Sequence, residues 1–159
     1  MLSKLKAVAA WPMKRKWLYV EAWVSLGWAR ILKMFPFANV VPKLGAKMLE
    51  TPFDSIGAAD EQTVRSVSQA VRSMSRYTWW ESMCLVQAIA ALKMLERRGV
   101  SSTLYLGTGK DSSGQMIAHA WLRSGKIYLT GYEQMQHFTV VALFGNTVEQ
   151  EPNIVQTMR

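Results

Sequence analysis

The periodicity of the apolar residues changes at Gly99, and this change limits the folds that the chain can adopt. Before Gly99, apolar residues recur at intervals of three and four, which is the spacing of one face of an α-helix. After Gly99, apolar and polar residues alternate, which is the pattern of β-strands. Because helices come first and strands follow, the pattern predicts an α+β fold with an antiparallel sheet.

Three helices are predicted before this change. The first runs from Lys16 to Phe35 and ends at Pro36, because the residue before a proline avoids the helical region. The second runs from about Asp60 to Tyr77, and the third has Ser82 as its N-cap and Gly99 as its stop. Most of the aromatic area of the first helix is expected to pack against the chain, with part of it as a partner-binding face. Its apolar stripe is Trp17, Val20, Val24, Trp28, Ile31 and Phe35.

Four strands are predicted after the change. Their approximate ranges are 103–107, 115–123, 126–130 and 137–144. Ser124 and Gly125 are the predicted two-residue turn between the second and third strands. This turn would pair Arg123 with Lys126, and therefore His119 with Thr130.

The cellular compartment is inferred from the cysteine count and from the apolar segments. Cys84 is the one cysteine of the chain, so an intramolecular disulfide is excluded and a reducing, cytoplasmic location is predicted. The apolar run at residues 7–11 is too short for the core of an export signal. The stretch 17–37 contains three charged residues, so no membrane-spanning helix is expected.

The positive charge is concentrated at one end of the chain. The net charge is +8, and residues 1–50 hold nine Lys/Arg against Glu21 and Glu50, which leaves +7 there. One interpretation is a solvated helix face with a basic tail; the other is a docking surface for an acidic partner, a peptide or a membrane face. No nucleic-acid-binding motif accompanies the charge, so nucleic acid is not predicted as a partner.

Two residues are candidates for thiol chemistry. Cys84 lies in the first turn of the third predicted helix, where unpaired backbone N–H groups and the helix dipole stabilise a thiolate. The alternative is an inert cysteine that fills the core. His119 shares one face of a predicted strand with Trp121, and it is either a base for the thiol or a core histidine. His137 is interpreted as structural or exposed, and no metal site or cofactor is predicted.

A cysteine at a helix start, followed by a histidine on a strand, is the plan of papain-like and transglutaminase-like cysteine enzymes. The segment Trp80-Glu81-Ser82-Met83-Cys84-Leu85-Val86-Gln87-Ala88 resembles the cysteine motif of lasso-peptide biosynthesis B2 proteins. The segment Ala118-His119-Ala120-Trp121-Leu122 resembles their histidine motif. The likeness covers residues 79–144, and the basic, Trp-rich leading helix resembles the N-terminal extension of that family.

The resemblance implies a leader peptidase that cuts a ribosomally made precursor through an acyl-enzyme on Cys84, with His119 as base. It also implies a B1 leader-recognition protein and an ATP-dependent lasso cyclase as partners. Transfer of the acyl group to an amine, and a non-catalytic protein that only holds peptide, remain alternatives. The expected organisation is a helical extension and loop (1–57), a transglutaminase-like catalytic core (58–145) and a polar tail (146–159).

The third residue of the site departs from the family pattern. The family usually completes its triad with an aspartate on the strand after the histidine, and Thr130 takes this position here. Glu133, three residues further, is the alternative. The backbone N–H of Cys84 is the expected oxyanion donor, and Gln87 is either a second donor or a packing residue.

Overall fold

The computed structural model describes residues 11–79 and 83–147. The helices are α1 (Met13–Leu32), α2 (Phe37–Val40), α3 (Ala58–Met74) and α4 (Cys84–Glu96). The strands are β1 (Ala46–Lys47), β2 (Ser102–Lys110), β3 (Met116–Ser124), β4 (Ile127–Thr130) and β5 (Thr139–Asn146). They form one antiparallel sheet in the order β1-β5-β2-β3-β4, which confirms the predicted α+β class.

Helix α4 packs against α1 and α3 and against the sheet. Eight of its thirteen residues are buried, as expected for a helix that is covered by protein on nearly every side. Its end follows the prediction: Gly99 has φ +67° and donates its N–H to the carbonyl of Glu96 at 3.1 Å. This packing holds the N-terminus of α4, where Cys84 lies, in a fixed place beside the sheet.

The apolar stripe of α1 is exposed, so the prediction that most of it packs against the chain was wrong. Trp17, Val24 and Ile31 are 66%, 55% and 56% exposed. The face that meets the core carries smaller residues, among them Ala22 and Ala29, which are fully buried. Small side chains allow α1 to approach α4 closely, and the large residues therefore lie on the opposite side.

The predicted turn at Ser124 and Gly125 was wrong by one residue. Ser124 is buried at the end of β3, where it pairs with Ile127 and donates its hydroxyl to the carbonyl of Ser101 at 2.6 Å. The turn consists of Gly125 and Lys126, and Gly125 has φ +52°. Hairpin turns favour glycine where φ is positive, and here that position comes first in the turn.

The pairing of His119 with Thr130 was also wrong. The shifted turn and an irregularity between Leu122 and Arg123 place Thr130 opposite Leu122 instead. Successive side chains of a strand alternate between its two faces, so Leu122 and His119 lie on opposite faces of β3.

The last strand begins two residues later than predicted. Residues 132–137 form a short 3-10 helix, and β5 starts at Thr139. Gly131 precedes this helix with φ +71°, in the left-handed region that favours glycine. His137 ends the short helix with an exposed side chain.

Arg123 is completely buried against the loop that follows β1. Its Nε donates to the hydroxyl of Tyr105 at 2.8 Å, and its Nη2 donates to the carbonyl of Thr51 at 2.7 Å. Its guanidinium lies 3.5 Å from the ring centroid of Phe53. The hydroxyl of Tyr105 also donates to the carboxylate of Glu50. A buried charge needs such partners, so this network ties residues 50–53 to the sheet.

Replacing Tyr105 with phenylalanine is expected to lower the free energy of unfolding by about 1–3 kcal/mol at neutral pH, because Arg123 and Glu50 lose a partner. Burial, together with the bond to Glu50, raises the pKa of Tyr105 from 10.0 to about 12. The unfolded chain therefore ionises this tyrosine first, and the stability that it contributes is lost as pH rises between these values. Urea unfolding from pH 7 to 11.5 should show the difference between wild type and variant shrinking above pH 10. A difference that stays constant over this range would contradict the assignment.

None of the helices in the described part of the chain is long and apolar enough to cross a bilayer. The division of the chain at residues 57/58 stays a prediction. Leu26 and Ala29, in the predicted extension, belong to the same core cluster as Leu92 and Leu95. Of the predicted tail, residues 148–159 lie outside the described residues.

Candidate active site

Cys84 is the first residue of α4, and its side chain is partly exposed. Met83 occupies the N-cap position with extended backbone, while the predicted cap, Ser82, lies outside the described residues. The first intrahelical bond runs from the N–H of Gln87 to the carbonyl of Met83 at 3.1 Å. The N–H groups of the first turn, including that of Cys84, have no partner within the helix, and they stabilise negative charge at this point.

Cys84 and His119 line the same cleft, which has a volume of about 270 Å³. The cleft lies where the start of α4 meets β2 and β3, with one residue each from α2 and β5. Its lining is almost wholly apolar, with Phe37, Leu85, Leu106, Ala118, Ala120 and Val141 as its apolar side chains. The structure therefore brings together the two residues that the sequence identifies as candidates.

The ring of His119 is oriented by a backbone carbonyl. Its Nε2 lies 2.7 Å from the carbonyl oxygen of Gly131. A carbonyl only accepts hydrogen bonds, so Nε2 carries the proton and Nδ1 keeps the free lone pair that a base requires. A Cβ on Gly131 would lie 2.3 Å from the carbonyl oxygen of Ala120, so only glycine fits here.

Two aromatic rings stack on His119. The ring centroid of Phe138 is 4.8 Å away at 29°, and that of Trp121 is 5.9 Å away at 28°. Phe138 fits because β2 carries glycines beside it: a Cβ on Gly107 would approach the Cβ of Phe138 to 2.9 Å, and one on Gly109 would approach its ring to 3.2 Å. Aromatic faces attract cations, so this stack holds the imidazole in place and favours its protonated form.

Thr130 and Glu133, the predicted third residues, have other surroundings. Thr130 is buried opposite Leu122, and its hydroxyl finds no hydrogen-bond partner among the described residues. Glu133 forms an ion pair with Arg72 of α3. The bond from His119 that the structure shows goes instead to Gly131.

Gly131 and Phe138 were missed as site residues by the sequence reasoning. Both belong to the segments that resemble the B2 family, but neither is of a type that suggests chemistry. The available signal was local: a glycine directly after a predicted strand indicates a left-handed turn, which brings a carbonyl out of the sheet ladder. Gln87 lies one turn after Cys84 and is half-buried, and its part in binding an oxyanion stays a prediction.

A thiol at a helix N-terminus that shares a cleft with an oriented imidazole is an arrangement suited to acyl transfer through a thioester. Residues 22–143 match the transglutaminase-like superfamily, and the chain belongs to that superfamily. The domain fits the role of a cysteine peptidase or an acyltransferase. Comparisons with curated proteins and with solved structures gave no match.

Proposed function

We propose that this protein is a cysteine peptidase that removes the leader from a ribosomally made lasso-peptide precursor. The observation that carries the proposal is the shared cleft of Cys84 and His119 in a transglutaminase-like domain. The likeness of the segments around both residues to B2 proteins supports the choice of substrate.

The reaction begins when Nδ1 of His119 takes the proton of the Cys84 thiol. The thiolate attacks the carbonyl carbon of the scissile peptide bond, and the N–H of Cys84 donates to the oxyanion. The C–N bond then breaks, His119 returns the proton to the leaving amine, and the core peptide departs with a free α-amine. The leader remains as a thioester on Cys84 until a water molecule, deprotonated by His119, hydrolyses it.

The stack on His119 makes Phe138 a positioning residue in this reaction. Phe138→Leu is expected to lower kcat about tenfold with little change in KM, because leucine keeps bulk but loses the aromatic face that favours imidazolium. Phe138→Tyr keeps the ring and should retain the rate. Steady-state cleavage kinetics of the three proteins make the comparison. Equal losses in the leucine and tyrosine variants would reduce Phe138 to packing.

The choice of substrate needs a surface outside the cleft, because the cleft lining is almost wholly apolar and offers little charge to a peptide. We propose that a B1-type protein captures the leader and raises the effective concentration of the scissile bond at Cys84. The released core then passes to an ATP-dependent cyclase, and all of these steps take place in the cytoplasm.

The test combines the purified chain with its precursor and the B1-type protein, followed by mass spectrometry. Two fragments whose masses sum to the precursor plus one water are expected. In water enriched in ¹⁸O, the label should enter the new carboxylate of the leader. Joining of the leader acyl group to an added amine, without release of a free carboxylate, would assign acyl transfer instead, and an unchanged precursor would contradict the proposal.

A further inference from the structure

The exposed stripe of α1 is a continuous apolar surface. The residues of its central part, Trp17, Val20, Val24 and Ile31, are all at least half exposed. From Trp17 to Ile31 the stripe extends about 21 Å along the helix at 1.5 Å per residue. Apolar surface of this extent is uncommon on a protein that has no partner there.

A groove lies beside this stripe, between α1 and the end of α3. Its volume is about 790 Å³, and Val20 and Trp23 form its border with the stripe. Tyr19, Met74 and Tyr77 contribute apolar area to its walls. We call the stripe and this groove together the α1 groove.

The cations of the α1 groove have no carboxylate among them. Arg15, Lys16 and Arg76 line it, and no acidic residue does so among the described residues. Glu21 is the one acidic residue of α1, and it binds Arg97 and Arg98 instead, with 2.5 Å between Oε2 and Nη2 of Arg98. The α1 groove therefore combines apolar area with a positive field.

We propose that the α1 groove binds an acidic peptide segment that presents apolar side chains along one face. This inference rests on the proposed function, in which the segment belongs to the leader or to the protein that carries it. Its apolar side chains pack on Val20, Trp23 and Val24, while its carboxylates pair with Arg15 and Arg76. The chemistry matches helix-in-groove recognition, in which spaced apolar anchors give affinity and charge selects the partner.

A second copy of the chain is a poor occupant. Antiparallel pairing of two stripes about Val24 places residues 14–16 of one copy opposite residues 32–34 of the other, so Lys14, Arg15 and Lys16 face Lys33. Parallel pairing sets each cation beside its own copy. Both arrangements oppose like charges, which costs free energy.

An anionic membrane is also less suitable. A bilayer surface can cover the outer stripe of α1, because that stripe is convex. It cannot enter the groove between α1 and α3, where Met74 and Arg76 lie. A peptide segment can contact both parts at once.

The experiment uses the full chain carrying Cys84→Ala, so binding is measured without cleavage. Two labelled helical peptides of equal length have the same leucines at positions i, i+3 and i+7, with glutamates flanking them in one and lysines in the other. Fluorescence anisotropy is expected to show the acidic peptide binding at least about tenfold more tightly than the basic one. Added salt should weaken the acidic peptide's binding.

Matched variants locate the binding. Val24→Glu is expected to weaken the acidic peptide about tenfold or more. Met116→Glu adds the same charge at an exposed apolar side chain of β3, outside the α1 groove, and should leave binding unchanged. Thermal unfolding of each variant checks that the fold is intact.

Three outcomes would overturn the inference: equal binding of both peptides, no binding of either, or an equal loss in the two glutamate variants. Vesicles of phosphatidylcholine with phosphatidylglycerol, and sedimentation of the chain alone, test the other occupants. Binding to vesicles, or a dimer that Val24→Glu dissociates, would assign the stripe to a membrane or to self-association if the acidic peptide does not bind. Cleavage of the precursor in the presence of a failed peptide test would leave the proposed function standing, and the reverse result would leave only the docking surface.

Discussion

Cys84→Ala is expected to abolish cleavage of the precursor, with a loss of about 10⁴-fold or more. The chain has no other cysteine, so no second thiol can replace the lost nucleophile. The variant removes one sulfur atom from a partly exposed side chain, and the rest of α4 is held by its buried residues. Its thermal unfolding should therefore remain close to that of the wild type.

Fragment formation followed by mass spectrometry measures this loss. The same assay with iodoacetamide-treated wild type gives an independent estimate, because Cys84 is the one thiol available for alkylation. Undiminished cleavage by Cys84→Ala would exclude the thioester route, whatever the fate of the rest of the account.

His119→Ala is expected to lower kcat about 10²-fold or more, the usual effect of removing a positioned base. Nδ1 of this ring takes the thiol proton, and the bond from Nε2 to Gly131 keeps the ring in the tautomer that can do so. The loss should appear in kcat more than in KM, because the imidazole acts on the reacting atoms and adds little to peptide binding.

The chain provides a matched control for this variant. His137 is the one other histidine, and its side chain is exposed at the end of the short helix before β5. His137→Ala should retain the wild-type rate. Equal losses in both histidine variants, or none in His119→Ala, would remove His119 from the mechanism.

The order of the elements was predictable because their patterns are local. The change of period at Gly99 separates helices from strands, and the glycine itself ends α4 with positive φ. The position of Cys84 in the first turn of α4 followed from the same pattern, although the cap is Met83 rather than Ser82. Propensity and periodicity act over a few residues, so one sequence is enough to read them.

The orientation of α1 was not predictable in the same way. Helical spacing identifies Trp17, Val24 and Ile31 as one face, but it does not say whether that face meets the core or a partner. The face with Ala22 and Ala29 is less apolar in sequence, yet it is the face that packs on α4. Close packing of small residues outweighed total apolar area here.

The partner of His119 depended on the register of one hairpin. A turn displaced by one residue and an irregularity beside Leu122 moved Thr130 away from the expected position. The carbonyl of Gly131 bonds to the ring instead, and a backbone carbonyl leaves no mark in residue type. Register is set by turn geometry and by cross-strand packing, and these are resolved only in three dimensions.

The most direct test of the account is detection of the thioester between the leader and Cys84. Wild-type protein is mixed with precursor and B1-type protein, quenched with acid within the first turnover, and measured as an intact protein. The account predicts a mass increase equal to the leader acyl group, located by fragmentation at Cys84, that disappears as free leader carboxylate accumulates. Free leader and core that form at full rate, with no adduct at any time in wild type and no loss of rate in Cys84→Ala, would contradict it.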